Sequence, residues 1–204
     1  DVGEGAAALA KIAVIRTENK NPLLSGATFQ IACDVKNPLC GKQGATYIFG
    51  PQKGVTEEQK FKVDEAMKHY ADVTKESLGC DFADCEGAGA AGGLGYAFLS
   101  YLAGELIPGV ELILQATGLE EKMKNADVVV TGEGRLDAQT VMGKAPVGVA
   151  ALAKKYNAKV IAFAGSVAPE AKVCNRAGID AFFPIVRGVT TLEEAMKKEN
   201  AMEN

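Results

Sequence analysis

The chain has 204 residues, enough for one large or two small domains around a sizeable apolar core. An apolar share of 48% and a charged share of 24% are ordinary for a globular protein, and a net charge of -4 leaves no basic stripe of the kind a nucleic-acid surface needs. No apolar run approaches the roughly eighteen residues of a membrane span, so neither a transmembrane helix nor a membrane partner is expected.

Five cysteines (Cys33, Cys40, Cys80, Cys85 and Cys174) make an odd set without a C-x-x-C spacing. They read as reduced thiols of a cytoplasmic protein rather than a disulfide framework. The single histidine, His69, lies inside a helical stretch, so a zinc site is not expected.

In chain order, Ala6–Ala10 reads as a short helix and Ile12–Arg16 as a strand. Thr28–Cys33 alternates as a strand that ends at Asp34. A long polar turn over 34–44 leads to the apolar stretch Ala45–Phe49 and the loop Gly50-Pro51-Gln52-Lys53-Gly54. Thr56 with Gln59 forms a capping box, with Glu57 and Glu58 in the first turn, and predicts a helix running to about Leu78 and stopped by Gly79. Glu86–Gly95, the densest glycine run, opens a helix over Tyr96–Leu102. Pro108 starts another helix, Gly118 interrupts it, and Leu119–Asn125 is a short helical link. From Ala126 the pattern becomes a regular β–α alternation. Strands are expected at Val128–Val130, Lys159–Ala164 and Asp180–Val186, with helices at Pro146–Tyr156, Pro169–Ala177 and after Thr191, where Glu194 completes a second capping box. Such alternation specifies an α/β fold, a parallel sheet with helices on both faces. Val128–Val130, β-branched throughout, is expected to be buried on both sides.

Ligand sites of α/β sheets gather at the carboxyl ends of strands. Thr131-Gly132-Glu133-Gly134-Arg135-Leu136-Asp137 begins there and reads as a charged, glycine-punctuated turn. Asp34 ends another strand. Asp34, Glu133 and Asp137 can hold Mg²⁺, which needs only one or two carboxylates when substrate phosphates complete its shell, or can accept a proton. Equally, Asp34 can cap a turn, and Glu133 and Asp137 can pair with Arg135. Gly87, Gly89 and Gly92 have the G-x-G-x-x-G spacing, but no apolar strand precedes them, and no Lys-Ser or Lys-Thr follows as in a Walker A loop. With Gly93 they can offer backbone N–H groups to a phosphate, or they can let elements pack closely. Lys53 and Lys144, each in a glycine-bounded turn, can supply a point charge to a phosphate or simply be solvated.

Taken together, Cys33-Asp34-Val-Lys-Asn37-Pro38-Leu39, Phe49–Gly54, Gly87–Gly95 and Thr131–Asp137 followed by Gln139, Thr140, Gly143, Lys144 and Pro146 resemble the bacterial two-domain glycerate kinases. These blocks stand in the family's order over nearly the whole chain. The resemblance implies ATP-dependent phosphorylation of D-glycerate, a small-molecule substrate, to 2-phosphoglycerate. It also implies two α/β domains with the active site in the cleft between them. Residues 1–122 would be mainly an inserted α/β domain, and 123–204 the second half of a flavodoxin-like one. The family's opening strand and Asp-Ser-Phe-Lys-Gly loop are absent, and Asp1–Gly5 resembles a segment internal to the family. The chain is therefore expected to be an N-terminally truncated fragment. On this resemblance Asp34, Glu133, Arg135 and Asp137 are the catalytic candidates, with Asp34 and Asp137 as candidate Mg²⁺ ligands. Lys53, Gly87, Gly89, Gly92, Gly93 and Lys144 are candidates for holding ATP phosphates. Two alternatives stand beside it: a catalytically inactive ligand-binding fragment, and another nucleotide-using α/β enzyme.

Overall fold

The structure is a computed structural model that describes residues 2–186 and 188–199; Asp1, the first residue of the opening segment, lies outside them. The chain divides into two compact units, residues 1–109 and 110–204.

In the first unit, a 3-10 turn at Ala6–Lys11 is followed by extended chain rather than the expected strand over Ile12–Arg16. The Ile12 carbonyl lies 2.7 Å from His69 Nε2, so a side chain takes the place of a neighbouring strand. Strand β1, Gln30–Ala32, is shorter than the alternation suggested. Helix α1 covers Ala45–Phe49, and α2 covers Glu57–Leu78. The Thr56–Gln59 capping box is formed, and Gly79 closes α2 in the left-handed region at φ 69°, a conformation glycine adopts without a Cβ clash. Met67, Ala71 and Thr74 are buried at helical spacing along α2. They face α3, Leu94–Leu102, through a cluster of tyrosines. Tyr70 meets the ring of Tyr96 edge-on at 5.4 Å and stacks on Tyr101 at 6.2 Å. Thr74 Oγ1 and the Tyr101 hydroxyl share a 2.8 Å hydrogen bond. Leu39, Ala45, Ala88 and Tyr96 complete this core. Strand β2, Glu105–Ile107, pairs parallel with β1. Three residues between Gly104 and Pro108 are too few to display an alternation, so the sequence carries no signal for this strand.

In the second unit, α4 (Gly109–Ala116) continues from the boundary, and α5 spans Leu119–Met123, starting at Gly118. The boundary expected near residue 122 falls inside α5. Strand β3 runs over Val128–Leu136, α6 over Ala145–Lys154, β4 over Lys159–Val167, α7 over Val173–Arg176, β5 over Ala181–Pro184 and α8 over Leu192–Ala195. The three strands form a parallel sheet in the order β3-β4-β5. Buried residues of α6 (Ala150, Leu152 and Ala153) pack with Val160, Ala162 and Ala164 of β4 to form the core. The Asp180 carboxylate accepts the Val160 N–H at 2.6 Å and binds Lys154 Nζ at 2.6 Å, tying the entries of β4 and β5 together.

Two expectations need correction here. Thr131–Leu136 is not a turn: β3 continues through it, paired with β4 as far as Leu136 opposite Val167. Gly132 serves the strand, since a Cβ there would stand 2.5 Å from the Phe163 carbonyl oxygen of β4, whereas a Cβ on Gly134 would meet nothing within 4 Å. Nor are Val128–Val130 buried on both sides. Val128 and Val130 are 51% and 62% exposed, on a face that also carries exposed Phe163 and Phe183.

Candidate active site

The extension of β3 brings a charged group together within the second unit. Glu133 and Arg135 are strand residues, and Asp137 is the first residue past the strand. A 3-10 turn at Thr140–Met142 and Gly143, at φ 99°, then bring the chain round to Lys144, the N-cap residue of α6. Lys144 Nζ stands 3.7 Å from Asp137 Oδ1 and 4.0 Å from Glu133 Oε2. Arg135 Nε is 3.7 Å from Asp137 Oδ2, with most of its side chain in solvent. The four charges sum to zero, and both carboxylates are largely shielded, at 18% and 22% side-chain exposure, whereas Arg135 is open. Arg135 is thus the member free to reach an anionic ligand.

Thr140 holds this arrangement. It is fully buried, its hydroxyl donates to Glu133 Oε1 at 2.5 Å, and Thr140 Oγ1 itself accepts the Asp137 N–H at 3.1 Å. Asp137 Oδ1 also accepts the Gln139 N–H at 2.9 Å, an Asx turn that aims the carboxylate back toward Lys144. Thr140 was missing from the candidates; the signal available was a hydroxyl residue three positions after Asp137, the spacing of a side chain that closes a turn. Cys174 lies buried behind the group. Its thiol is held above its ordinary range by burial first, then by the Glu133 and Asp137 carboxylates. It is therefore a protonated core residue rather than a nucleophile.

In the first unit the candidates separate. Asp34 Oδ1 accepts the Gly109 N–H at 2.8 Å, so this carboxylate caps the first residue of α4. Of the glycine run, Gly87, Gly89 and Gly93 are buried, and each has no room for a side chain. A Cβ would stand 2.8 Å from Cys33 Sγ at Gly87, 2.3 Å from the Pro38 carbonyl oxygen at Gly89, and 2.7 Å from Met67 Cε at Gly93. These three let the loop pack against its neighbours. Gly92 differs. It is exposed, at φ 80°, and the nearest atom to its Cβ position is Lys53 Nζ at 3.5 Å. The structure thus sets Lys53 beside Gly92 and places Lys144 between Glu133 and Asp137.

Glu133 and Asp137 offer hard oxygen donors at one strand end, which suits Mg²⁺ completed by phosphate oxygens and water. No group of three or more His, Cys, Asp or Glu side chains with metal-holding geometry occurs among the described residues. No helix among them is long and apolar enough to cross a membrane.

A parallel α/β sheet with a charged strand end of this kind belongs to a class of folds whose ligand sites gather at the carboxyl ends of their strands. Comparison narrows the class: the glycerate kinase family model matches residues 1–204, and the chain belongs to that family. It is 45% identical to the glycerate kinase of Bacillus subtilis (strain 168) over 197 residues, 97% of this chain and 52% of the relative. It is 43% identical to the glycerate 2-kinase of Escherichia coli (strain K12), again over 97% of this chain and 52% of the relative. A crystal structure assigned as glycerate kinase 2 from Salmonella typhimurium LT2 superposes with a TM-score of 0.82 at 41% identity, covering 98% of this chain and 52% of that one. The chain therefore spans about half the length of the curated relatives it matches.

Proposed function

We propose that the protein transfers the γ-phosphoryl group of ATP to a hydroxyl of D-glycerate, giving 2-phosphoglycerate and ADP. The observation that carries this reading is the placement of Glu133, Asp137 and Lys144 together at the end of β3, in a chain of the glycerate kinase family. Phosphoryl transfer asks mainly for positioning and for neutralisation of charge on the transferring group. Glu133 takes the proton of the attacking glycerate hydroxyl. That oxygen forms its bond to the γ-phosphorus as the bond to the β-phosphate oxygen breaks and ADP leaves. Thr140 holds the Glu133 carboxylate in place for this step. Arg135, the exposed cation of the group, pairs with the glycerate carboxylate. Lys144 loses its carboxylate partners to incoming ligand and then faces phosphate at the start of α6, where the helix N-terminus also favours an anion. Asp137, with Glu133 beside it, would hold Mg²⁺, which supplies neutralisation of phosphate charge when bound. Asp34 has a capping role in this scheme rather than a catalytic one.

The test is ADP release in a coupled assay with D-glycerate, with the product's phosphate position read by NMR. Release that depends on glycerate, with the phosphate on the 2-position, is the expected result. ADP release that is absent, or that ignores glycerate, contradicts the proposal.

A further inference from the structure

Ser166 stands near the end of β4, where the strand register sets it opposite Arg135 of β3. Residues opposed in paired parallel strands project from the same side of the sheet, with their backbones roughly 4.8 Å apart. Ser166 is exposed, and its hydroxyl has no partner among the described residues. The next opposed pair, Leu136 and Val167, packs into the core and so fixes the strand ends that carry Arg135 and Ser166. Just before them the two strands approach closely, since a Cβ on Gly165 would stand 2.7 Å from the Gly134 carbonyl oxygen. Around Gly134 itself the space is open on the side a Cβ would take. An exposed cation and an unused hydroxyl therefore lie side by side at the carboxyl end of the sheet, all within the second unit.

This pair suits one kind of anion. Asp137 Oδ2, 3.7 Å from Arg135 Nε, offsets part of the guanidinium charge. What is left matches a single negative charge better than the several charges of a polyphosphate. Hydrogen bonding points the same way. A carboxylate has two oxygens that both accept, and the terminal N–H groups of Arg135 can serve one while a neutral hydroxyl serves the other. Resting on the kinase reading above, we propose that Ser166 is a specificity-determining residue: its hydroxyl donates to one oxygen of the glycerate carboxylate while Arg135 pairs with the other. A polyol of the same length lacks both contacts, so the pair selects a hydroxy acid. The carboxylate takes no part in the bonds that form and break. Ser166 therefore holds ground state and transition state alike, and its loss shows in KM rather than in kcat.

The proposal is tested by titration calorimetry with D-glycerate, glycerol and inorganic phosphate on the unaltered protein, Ser166→Ala and Ser166→Thr. Ser166→Ala should weaken D-glycerate binding by roughly tenfold, the scale of one hydrogen bond to a charged group, and leave glycerol and phosphate unaffected. Ser166→Thr keeps the hydroxyl on an exposed position and should restore affinity to within about threefold. In steady-state kinetics the KM for D-glycerate should follow these affinities, with a much smaller change in kcat. D-glycerate affinity within about twofold in Ser166→Ala, or a threonine variant as weak as the alanine one, overturns the proposal. So does a loss of phosphate binding as large as that of D-glycerate, or no D-glycerate binding to the unaltered protein. Its failure is separable from failure of the proposed function. Glycerate-dependent ADP release with an unchanged KM for D-glycerate in Ser166→Ala removes this contact and keeps the reaction. D-glycerate binding that depends on the Ser166 hydroxyl, without ADP release, does the reverse.

Discussion

The glycine run of the first unit and the charged strand end of the second turn their distinctive residues in opposite directions. In the run, Gly87, Gly89, Gly93 and Gly95 face inward, and backbone or core atoms occupy the space where their side chains would be. At the strand end, Glu133, Arg135, Asp137 and Lys144 are gathered by one strand, one turn and one helix start, and they contact one another. The first arrangement uses absent side chains to bring elements close. The second uses present ones to create a field. Two stretches that both suggest a ligand site on composition can thus differ in kind, and only Gly92 of the run has an exposed position beside a cation.

This contrast makes the largest expected effect one on activity. Asp137→Asn should lower glycerate-dependent turnover by roughly 10²-fold or more and raise the Mg²⁺ concentration needed for half-maximal rate, with little change in thermal stability. A variant with normal turnover and normal Mg²⁺ dependence would move the chemistry away from this strand end.

In the glycine run the effect should be on stability instead. Gly95→Ala places a Cβ 2.1 Å from the Gly87 carbonyl oxygen. Helix propensity alone would favour alanine by about 1 kcal/mol, so the sign of the change decides between the two. Overpacking predicts a loss of about 1–3 kcal/mol in denaturant unfolding; a gain would show that the run is not tightly packed.

Asp64 supports the neighbouring loop. It is nearly buried, and both of its carboxylate oxygens accept the Gly41 N–H, at 3.1 and 3.0 Å. Asp64→Ala leaves that amide without its acceptor and should cost about 1–3 kcal/mol, measured by chemical denaturation. An unchanged midpoint would mean the loop re-forms without it.

The smallest effect is a pH dependence. Burial first, and then Asp64, Asp72 and Asp84, push the Cys40 thiol up from 9.0 to about 12. The folded state therefore holds this proton more tightly than the unfolded chain does. Its contribution is fully present below pH 9.0 and is lost as pH rises toward about 12. Cys40→Ala should flatten the alkaline limb of a stability-versus-pH curve, and an unaltered limb would assign it to other groups.

Much of this was legible in the residues. The Thr56–Gln59 box and Gly79 bound α2 correctly because caps are local chemistry. The β–α alternation after Ala126 set out the second unit's sheet because buried strands and amphipathic helices have different periods. Three things were less accessible. Gly132 and Gly134 look like turn residues, yet both belong to a strand, and at Gly132 the neighbouring strand approaches too closely for a side chain. The packing role of Gly87, Gly89 and Gly93 depends on Pro38, Met67 and Cys33, which are distant in sequence. Thr140 was visible as a turn former, but its bond to Glu133 reaches seven residues back and follows only once β3 is known to extend to Leu136.

The central claim is that Glu133 at the end of β3 takes the glycerate proton. It is tested most directly by steady-state kinetics of Glu133→Gln, which keeps an oxygen to accept the Thr140 hydroxyl. The account predicts that kcat falls by roughly 10²–10⁴-fold while KM for D-glycerate and binding of ATP change little. A kcat within about twofold of the unaltered protein would contradict it.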